Sequence, residues 1–309
     1  MKKYMLVLIA VFFSCQSPTM DFKITHQQIL KDVPSASGIV KHQDDFYVIG
    51  DDTPYLFRLN AELDTVAHFP VYTTSGGTEN KKIAKKDKPD FEALEMISEN
   101  EMIALGSGSK SPERDIFVRI LINDPLSVQK FSLTGFYDSL RKMEILRDSE
   151  LNIEAAAFHR GFLYLFNRRK NVIFKVIYSD LLNHIEKEFS IPEITFAEYE
   201  LPQINGIGAG FSGAAVTKSG KLIVTASVED TGNAYDDGEV LGSFIGIVSL
   251  QPDNHPGLIE WKKIENSGEL LKVESVTVDK EISENELHVI LVTDSDGGES
   301  LILRGNLKW

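Results

Sequence analysis

Ser37-Gly38-Ile39-Val40, Glu92-Ala93-Leu94, Glu154-Ala155-Ala156-Ala157, Ser212-Gly213-Ala214-Ala215 and Glu274-Ser275-Val276-Thr277 are versions of one local pattern. Each sets a polar residue before a small one and then an apolar run. Each is followed by a β-rich stretch that ends in polar groups. The spacing is about 60 residues, room for four short strands with their turns, so the expected fold is all-β: a five-bladed β-propeller of four-stranded blades.

Outward from these anchors, alternation and β-branched content mark strands within each repeat, and turn residues separate them. The first four repeats supply four strands each, whereas the fifth runs out at Trp309 one strand short. Phe22 to Leu30 precedes the first anchor, has strand-like composition and belongs to no other blade. It is expected as the outer strand of blade five, closing the ring with no open β-edge. A helix over Gln27 to Lys31 is the alternative. Phe136 to Glu144 has apolar residues at helical spacing, and Ser179 to Lys187 reads as a second short helix with Ser179 as its cap.

The N-terminus is read apart from the fold. Lys2 and Lys3 form a positive n-region, and Met5 to Phe13 is an apolar run too short to span a bilayer, so residues 1–14 read as a signal peptide. Phe12-Phe13-Ser14-Cys15 resembles a bacterial lipobox, with Phe12 at the usual Leu position. Cys15 is the only cysteine, so no disulfide accounts for it. It is expected to carry lipid, with residues 15–21 as tether and 22–309 as the propeller domain. A plain secretory signal that happens to hold a cysteine is the alternative. No acidic cluster follows Cys15, so the expected address is the bacterial cell envelope, on the periplasm-facing side of the outer membrane.

The formal net charge is −14, and loss of the leader leaves 30 basic against 46 acidic residues. Phosphate backbones are bound through clustered Lys and Arg, so nucleic acid is not an expected partner. The expected partners are the membrane, through the anchor, and a small-molecule or protein ligand.

In a propeller the inner strand of each blade lines the channel and the second strand runs back antiparallel. Starts of first strands and ends of second strands therefore share one mouth. The starts are Ser37, Glu92, Glu154, Ser212 and Glu274. The ends carry Asp51-Asp52, Ser107 and Ser109, Asn167-Arg168-Arg169, Glu229-Asp230, and Asp294 with Asp296. Glutamates converging on an axis are costly to desolvate unless a cation, proton or hydrogen bond compensates them. Ca²⁺ held by Glu92, Glu154 and Glu274 would serve, and so would Arg168 or Arg169 pairing with Glu92 or Glu154 as a plug. The scattered histidines do not suggest an imidazole-rich metal site.

Two further segments fall on that mouth. Lys81 to Lys88 concentrates positive charge, and Glu229 to Ser243 is a Gly- and Asp-rich insertion containing Asp236-Asp237. Solvated loops are the ordinary reading of both. Asp294-Ser295-Asp296-Gly297-Gly298 reads as a tight turn or an irregular acidic loop without EF-hand spacing. Gly206-Ile207-Gly208-Ala209-Gly210 enters a strand and not a helix, so it lacks the context of a dinucleotide site. Gly210-Phe211-Ser212-Gly213-Ala214 lacks the second glycine of a nucleophile elbow.

With Ser37-Gly38-Ile39, Tyr47-Val48-Ile49-Gly50-Asp51-Asp52, Lys88-Pro89-Asp90-Phe91-Glu92-Ala93-Leu94 and Asn152-Ile153-Glu154-Ala155-Ala156, the chain resembles an uncharacterised family of exported propellers from Bacteroidota. More distantly it is similar to phytase-like, esterase-like propellers and calcium-dependent lactonase propellers. In those relatives a Glu-Gly pair starts the strand and the glutamate faces a channel metal, whereas Ala or Ser follows each glutamate here. The resemblance implies ligand or partner binding at a polar mouth with Ca²⁺ as cofactor. Its alternative is metal-assisted hydrolysis of a phosphoester, ester or lactone, with Glu92, Glu154 and Glu274 as ligands or base and Lys85, Lys86 and Arg168 binding an anionic substrate.

Overall fold

The computed structural model describes residues 19–73, 82–231, 238–251, 253, 255–294 and 299–309. Its strands form five four-stranded antiparallel sheets around a channel, the expected propeller. The strands of blade one are Ala36–His42, Asp45–Gly50, Tyr55–Leu59 and Thr65–Pro70. Blade two follows with Phe91–Ser98, Glu101–Gly106, Ile116–Leu121 and Ser127–Ser132. Blade three holds Ile153–His159, Phe162–Asn167, Val172–Ile177 and Ile194–Glu198. In blade four they are Gly210–Val216, Lys221–Asp230, Glu239–Leu250 and Pro256–Lys263. The leader, Cys15, Lys81, Asp236, Asp237 and Asp296 lie outside the described residues.

Blade five takes Lys272–Ser283, Glu286–Asp294 and Glu299–Lys308 from the C-terminus and its outer strand, β1 (Asp21–Pro34), from the N-terminus. β1 pairs antiparallel with Glu299–Lys308, from Asp21 opposite Lys308 to Pro34 opposite Glu299. Gln27 lies opposite Leu303 within this ladder, so the segment weighed as a helix is strand. Pairing the two ends of the chain satisfies backbone groups that an open edge would leave to solvent.

The apolar faces of the sheets meet between blades, not at the axis. Ile103 and Phe117 of blade two pack with Leu163 and Phe174 of blade three, and Ile223 and Ile245 of blade four with Val289 and Leu303 of blade five. α1 (Thr134–Arg141) buries Phe136, Tyr137 and Leu140 beside the first of these cores. α2 (Tyr178–Lys187) joins the third and fourth strands of blade three. Ser179 does not cap it: the N-cap is Ile177, without a side-chain hydrogen bond, and Ser179 Oγ donates to Asp180 at 3.4 Å. Among the described residues no helix is long and apolar enough to cross a membrane.

One irregularity recurs in every blade and prepares the mouth. The register between first and second strands shifts between Ala36 and Gly38, Phe91 and Ala93, Ile153 and Ala155, Phe211 and Gly213, and Val273 and Ser275. The skipped residues are the five anchors Ser37, Glu92, Glu154, Ser212 and Glu274. Each is the extra residue of a β-bulge, a device that takes one residue out of the ladder and re-aims its side chain. The small residue after each anchor has a physical cause too. A Cβ on Gly38 would sit 2.8 Å from Leu94 Cβ, and one on Gly213 would sit 2.7 Å from Ser275 Cα, because inner strands of neighbouring blades touch there.

Candidate functional site at the channel mouth

The bulges open onto a cavity of about 450 Å³ at the mouth. Of the candidates read from sequence, Ser37, Asp51, Asp52, Glu92, Glu154, Arg168, Glu274, Asp294 and Lys85 line it. Asn167, Ser212 and Lys86 do not. Asn167 is buried, its Oδ1 accepting the Asn152 N–H at 2.7 Å and its Nδ2 donating to the Lys170 carbonyl at 3.1 Å. It holds the turn that aims Arg168. Ser212 is buried against Thr225, its hydroxyl donating to Thr225 Oγ1 at 3.2 Å. Lys86 is exposed to solvent. Ser37 lines the cavity, yet its hydroxyl is engaged by the Phe91 carbonyl at 2.5 Å and stitches blade one to blade two.

Glu229 and Arg169, read from the ends of second strands, and Lys82 and Lys88, from the Lys81 to Lys88 segment, also line it, and the structure adds Asp90, Arg114, Asn152 and Lys272 to the wall. Asp90, Asn152 and Lys272 each sit two residues before an anchor, a spacing that could have found them, and Asp90 and Asn152 also belong to the strings that carry the family resemblance. Arg114 comes from the loop between the second and third strands of blade two and had no such signal.

On the side of blades three to five, Arg168 is the hub. Its guanidinium lies 3.0 Å from Glu154, 2.5 Å from Glu229 and 3.9 Å from Glu274. Lys272 adds contacts of 2.8 Å to Glu229, 3.3 Å to Glu274 and 3.7 Å to Asp294. Asn152 Nδ2 donates to the other oxygen of Glu154 at 2.6 Å. The Gly-rich run before blade four finds its use here: a Cβ on Gly210 would collide with Arg168 Cγ, so glycine makes room for the guanidinium stem. The arginine plug foreseen as one way to compensate the glutamates is therefore present, with Arg168 on Glu154.

On the side of blades one and two, Lys88 pairs with Asp51 and lies 2.8 Å from Asp90, which also accepts from Arg114 at 2.5 Å. Lys82 reaches Asp52 at 2.7 Å. One oxygen of Asp51 and one of Asp52 are buried without a hydrogen-bond partner. Among the described residues Glu92 alone of the acids lining the cavity has no cation within ion-pair distance. The carboxylates close enough to share an ion are Asp51, Asp90 and Glu92, whose ligand atoms lie within 4.8 Å of one another. Glu154 and Glu274, foreseen beside Glu92 as ligands, are taken up by Arg168 and Lys272.

Among the described residues the wall carries eight acids, Asp51, Asp52, Asp90, Glu92, Glu154, Glu229, Glu274 and Asp294, against seven cations, Lys82, Lys85, Lys88, Arg114, Arg168, Arg169 and Lys272. Burial penalises ionised carboxylates even where cations stand near, so the pKa values of several of these acids rise. Burial pushes Asp51 up to about 7 against the pull of Lys88, and Glu274 up to about 8 against Lys272 and Arg168. Glu92 is held well above the usual carboxylate range by burial and by Asp90, Glu154 and Asp51. The cations move the other way from what burial alone dictates: Lys88, Arg168 and Lys272 are desolvated, but the surrounding carboxylates hold each more firmly charged.

Residues 32–307 match the model of a family of unknown function (DUF6929). The chain belongs to that family. No curated protein matches it. Among solved structures, the glutaminyl cyclase of Myxococcus xanthus shares the fold with a TM-score of 0.54 at 8% identity, over 93% of this chain and 96% of that one. The calcium-binding protein regucalcin of Agrobacterium tumefaciens follows at 0.42 and 8% identity, over 92% of this chain and 95% of that one. The virginiamycin B lyase of Staphylococcus aureus stands at 0.40 and 13% identity, over 94% and 100%. At these identities the likeness is one of fold, and this family member's chemistry has to be argued from its own mouth.

Proposed function

We propose that this protein is a lipid-anchored envelope protein whose propeller binds a small, strongly polar ligand at the channel mouth, with a cationic group of the ligand seated against Glu92. The observation that carries the reading is the unequal wall. Every other acid lining the cavity has a cation within 4.0 Å, whereas among the described residues Glu92, from its bulge at the head of blade two, has none. An arriving ammonium or guanidinium supplies the missing charge and displaces the proton, so affinity rises with pH. The cavity volume falls within the range of small-molecule sites. Support for the anchor comes from Lys2-Lys3, the short apolar run and the lone Cys15 after Ser14.

A second reading has its own observation. Asp51, Asp90 and Glu92 have the oxygen chemistry and mutual spacing to hold Ca²⁺, once Lys88 withdraws from Asp51 and Asp90. A bound ion would polarise the scissile oxygen of a phosphoester, ester or lactone.

The test is calorimetric titration of the mature chain with alkylamines, amino acids and Ca²⁺ at pH 6 and 8, beside thermal melts with EDTA and a panel of phosphoester, ester and lactone substrates. The expected result is amine or amino-acid binding that tightens at pH 8, survives EDTA and is lost in Glu92→Gln. Stabilisation by Ca²⁺ alone transfers the site to the second reading, to the hydrolase if turnover accompanies it. No response to any ligand overturns both.

A further inference from the structure

The direction of β1 decides how the molecule stands on a membrane. The inner strand of blade five leaves the mouth after Glu274, Glu286–Asp294 returns to it, and Glu299–Lys308 leaves again. β1 runs antiparallel to that last strand, so Asp21, opposite Lys308, lies at the face away from the mouth, and Pro34, opposite Glu299, lies at the mouth. The chain therefore enters the ring from the far face. From Cys15 to Asp21 it has six residues, which reach about 20 Å at full extension. The ten residues of Glu299–Lys308 span about 30 Å. The tether is shorter than the blade is tall, so a lipid on Cys15 leaves no way to lay the mouth on the bilayer.

The far face beside Asp21 has features suited to a lipid surface. Trp309 follows Lys308 there, with Lys221 Nζ 4.6 Å from its ring centroid. Ile282, in the neighbouring hairpin, is 42% exposed, and Trp309, half-buried against the blade-five core, lines a depression with it, Lys221, Leu287 and the acids Glu281 and Glu284. A tryptophan and a lysine with an aliphatic stem are side chains that settle at an apolar-to-polar boundary. Resting on the proposed anchor, we infer that the corner formed by Trp309, Lys221 and Ile282 faces the bilayer headgroups and that the charged mouth opens away from the membrane. The cavity then draws its ligand from the aqueous compartment and not from the lipid.

The chain's two tryptophans and single cysteine make this measurable. A maleimide phospholipid coupled to Cys15 of the mature protein sets the anchor whether or not a cell attaches one, and dansyl-headgroup lipids in the vesicle accept energy from tryptophan. In Trp261→Phe, Trp309 is the sole donor. In Trp261→Phe with Trp309→Phe and Lys110→Trp, the donor sits in the mouth-side loop between the second and third strands of blade two; Glu113→Trp replaces Lys110→Trp if that variant does not melt cooperatively. The expected result is several-fold greater transfer from Trp309. Equal transfer, as from a freely tumbling domain, or greater transfer from the mouth loop overturns the orientation. Failure of the anchor reading shows separately, as an unlipidated mass of the protein purified from whole cells.

Discussion

The two sides of the mouth start from the same backbone device and end differently. On the side of blades three to five, bulged Glu154 and Glu274 are locked by Arg168, Lys272 and Asn152, and Glu229 joins the same network. On the side of blades one and two, bulged Glu92 has no cation within ion-pair distance among the described residues; Asp51 and Asp52 each keep a buried oxygen without a hydrogen-bond partner, as Glu229 does on the other side. A network in which each acid has an ion-pair partner holds the blades together, and a buried acid without one is costly unless something else completes it. Under the proposed function, the difference makes one side structural and leaves the other to bind the ligand.

The largest effect expected from that contrast is at Arg168. Arg168→Ala leaves Glu154, Glu229 and Glu274 short of their shared cation, and breaking a buried pair in this way costs about 3–5 kcal/mol, read as a fall in the urea midpoint. Gly210→Ala should move in the same direction by crowding the Arg168 stem. An Arg168→Ala protein as stable as wild type would break the contrast outright.

Lys88→Met sharpens it. Removing the ammonium from Asp51 and Asp90 costs about 1–3 kcal/mol, less than Arg168→Ala because Arg114 still serves Asp90. It also frees the three clustered oxygens, so this variant, unlike wild type under the ligand reading, should melt higher with added Ca²⁺.

The pH dependence follows from acids that keep protons when folded. Asp51 titrates at about 7 and Glu274 at about 8, and Glu95, buried between blades two and three with its Oε1 accepting the Phe158 N–H at 2.9 Å, at about 8 through burial. Their folded values lie above the unfolded ones, so between about pH 4 and 8 the native state holds protons that the unfolded chain has lost. Stability is therefore full below the unfolded values and declines as pH rises through this window. Melts across the range should show the decline, and Glu95→Gln should flatten it without touching the mouth. A melting temperature that climbs from pH 5 to 8 would contradict these shifts. The smallest effect is expected for Glu92→Gln: burial and the neighbouring acids disfavour the charged form of Glu92, and no described cation pairs with it, so the amide leaves the melt nearly unchanged while abolishing binding of cationic ligands.

Much of the ring was legible because a propeller repeats. The five anchors and the missing strand of the last blade led to the strand order and to β1 as the closing strand. The site was legible in its faces more than in its partners. Ser37, Asp51, Glu92, Glu154, Arg168, Glu274 and Asp294 do reach one mouth, since strand direction alone puts them there. Ser212 and Asn167, placed there by the same rule, turn into the protein to meet hydrogen bonds no periodicity announces.

What the sequence determined by itself is the number of blades, their strands and the end at which polar residues gather, because these follow from short-range alternation repeated along the chain. Tertiary structure alone decided which charges neutralise which. Arg168 meets Glu229 across 61 residues of chain, and Lys272 meets Glu229, Glu274 and Asp294 together, only once the bulges have aimed the side chains and the blades have closed the ring. Charge pairing depends on distances of a few ångströms between residues far apart in sequence, and local pattern carries no record of those distances.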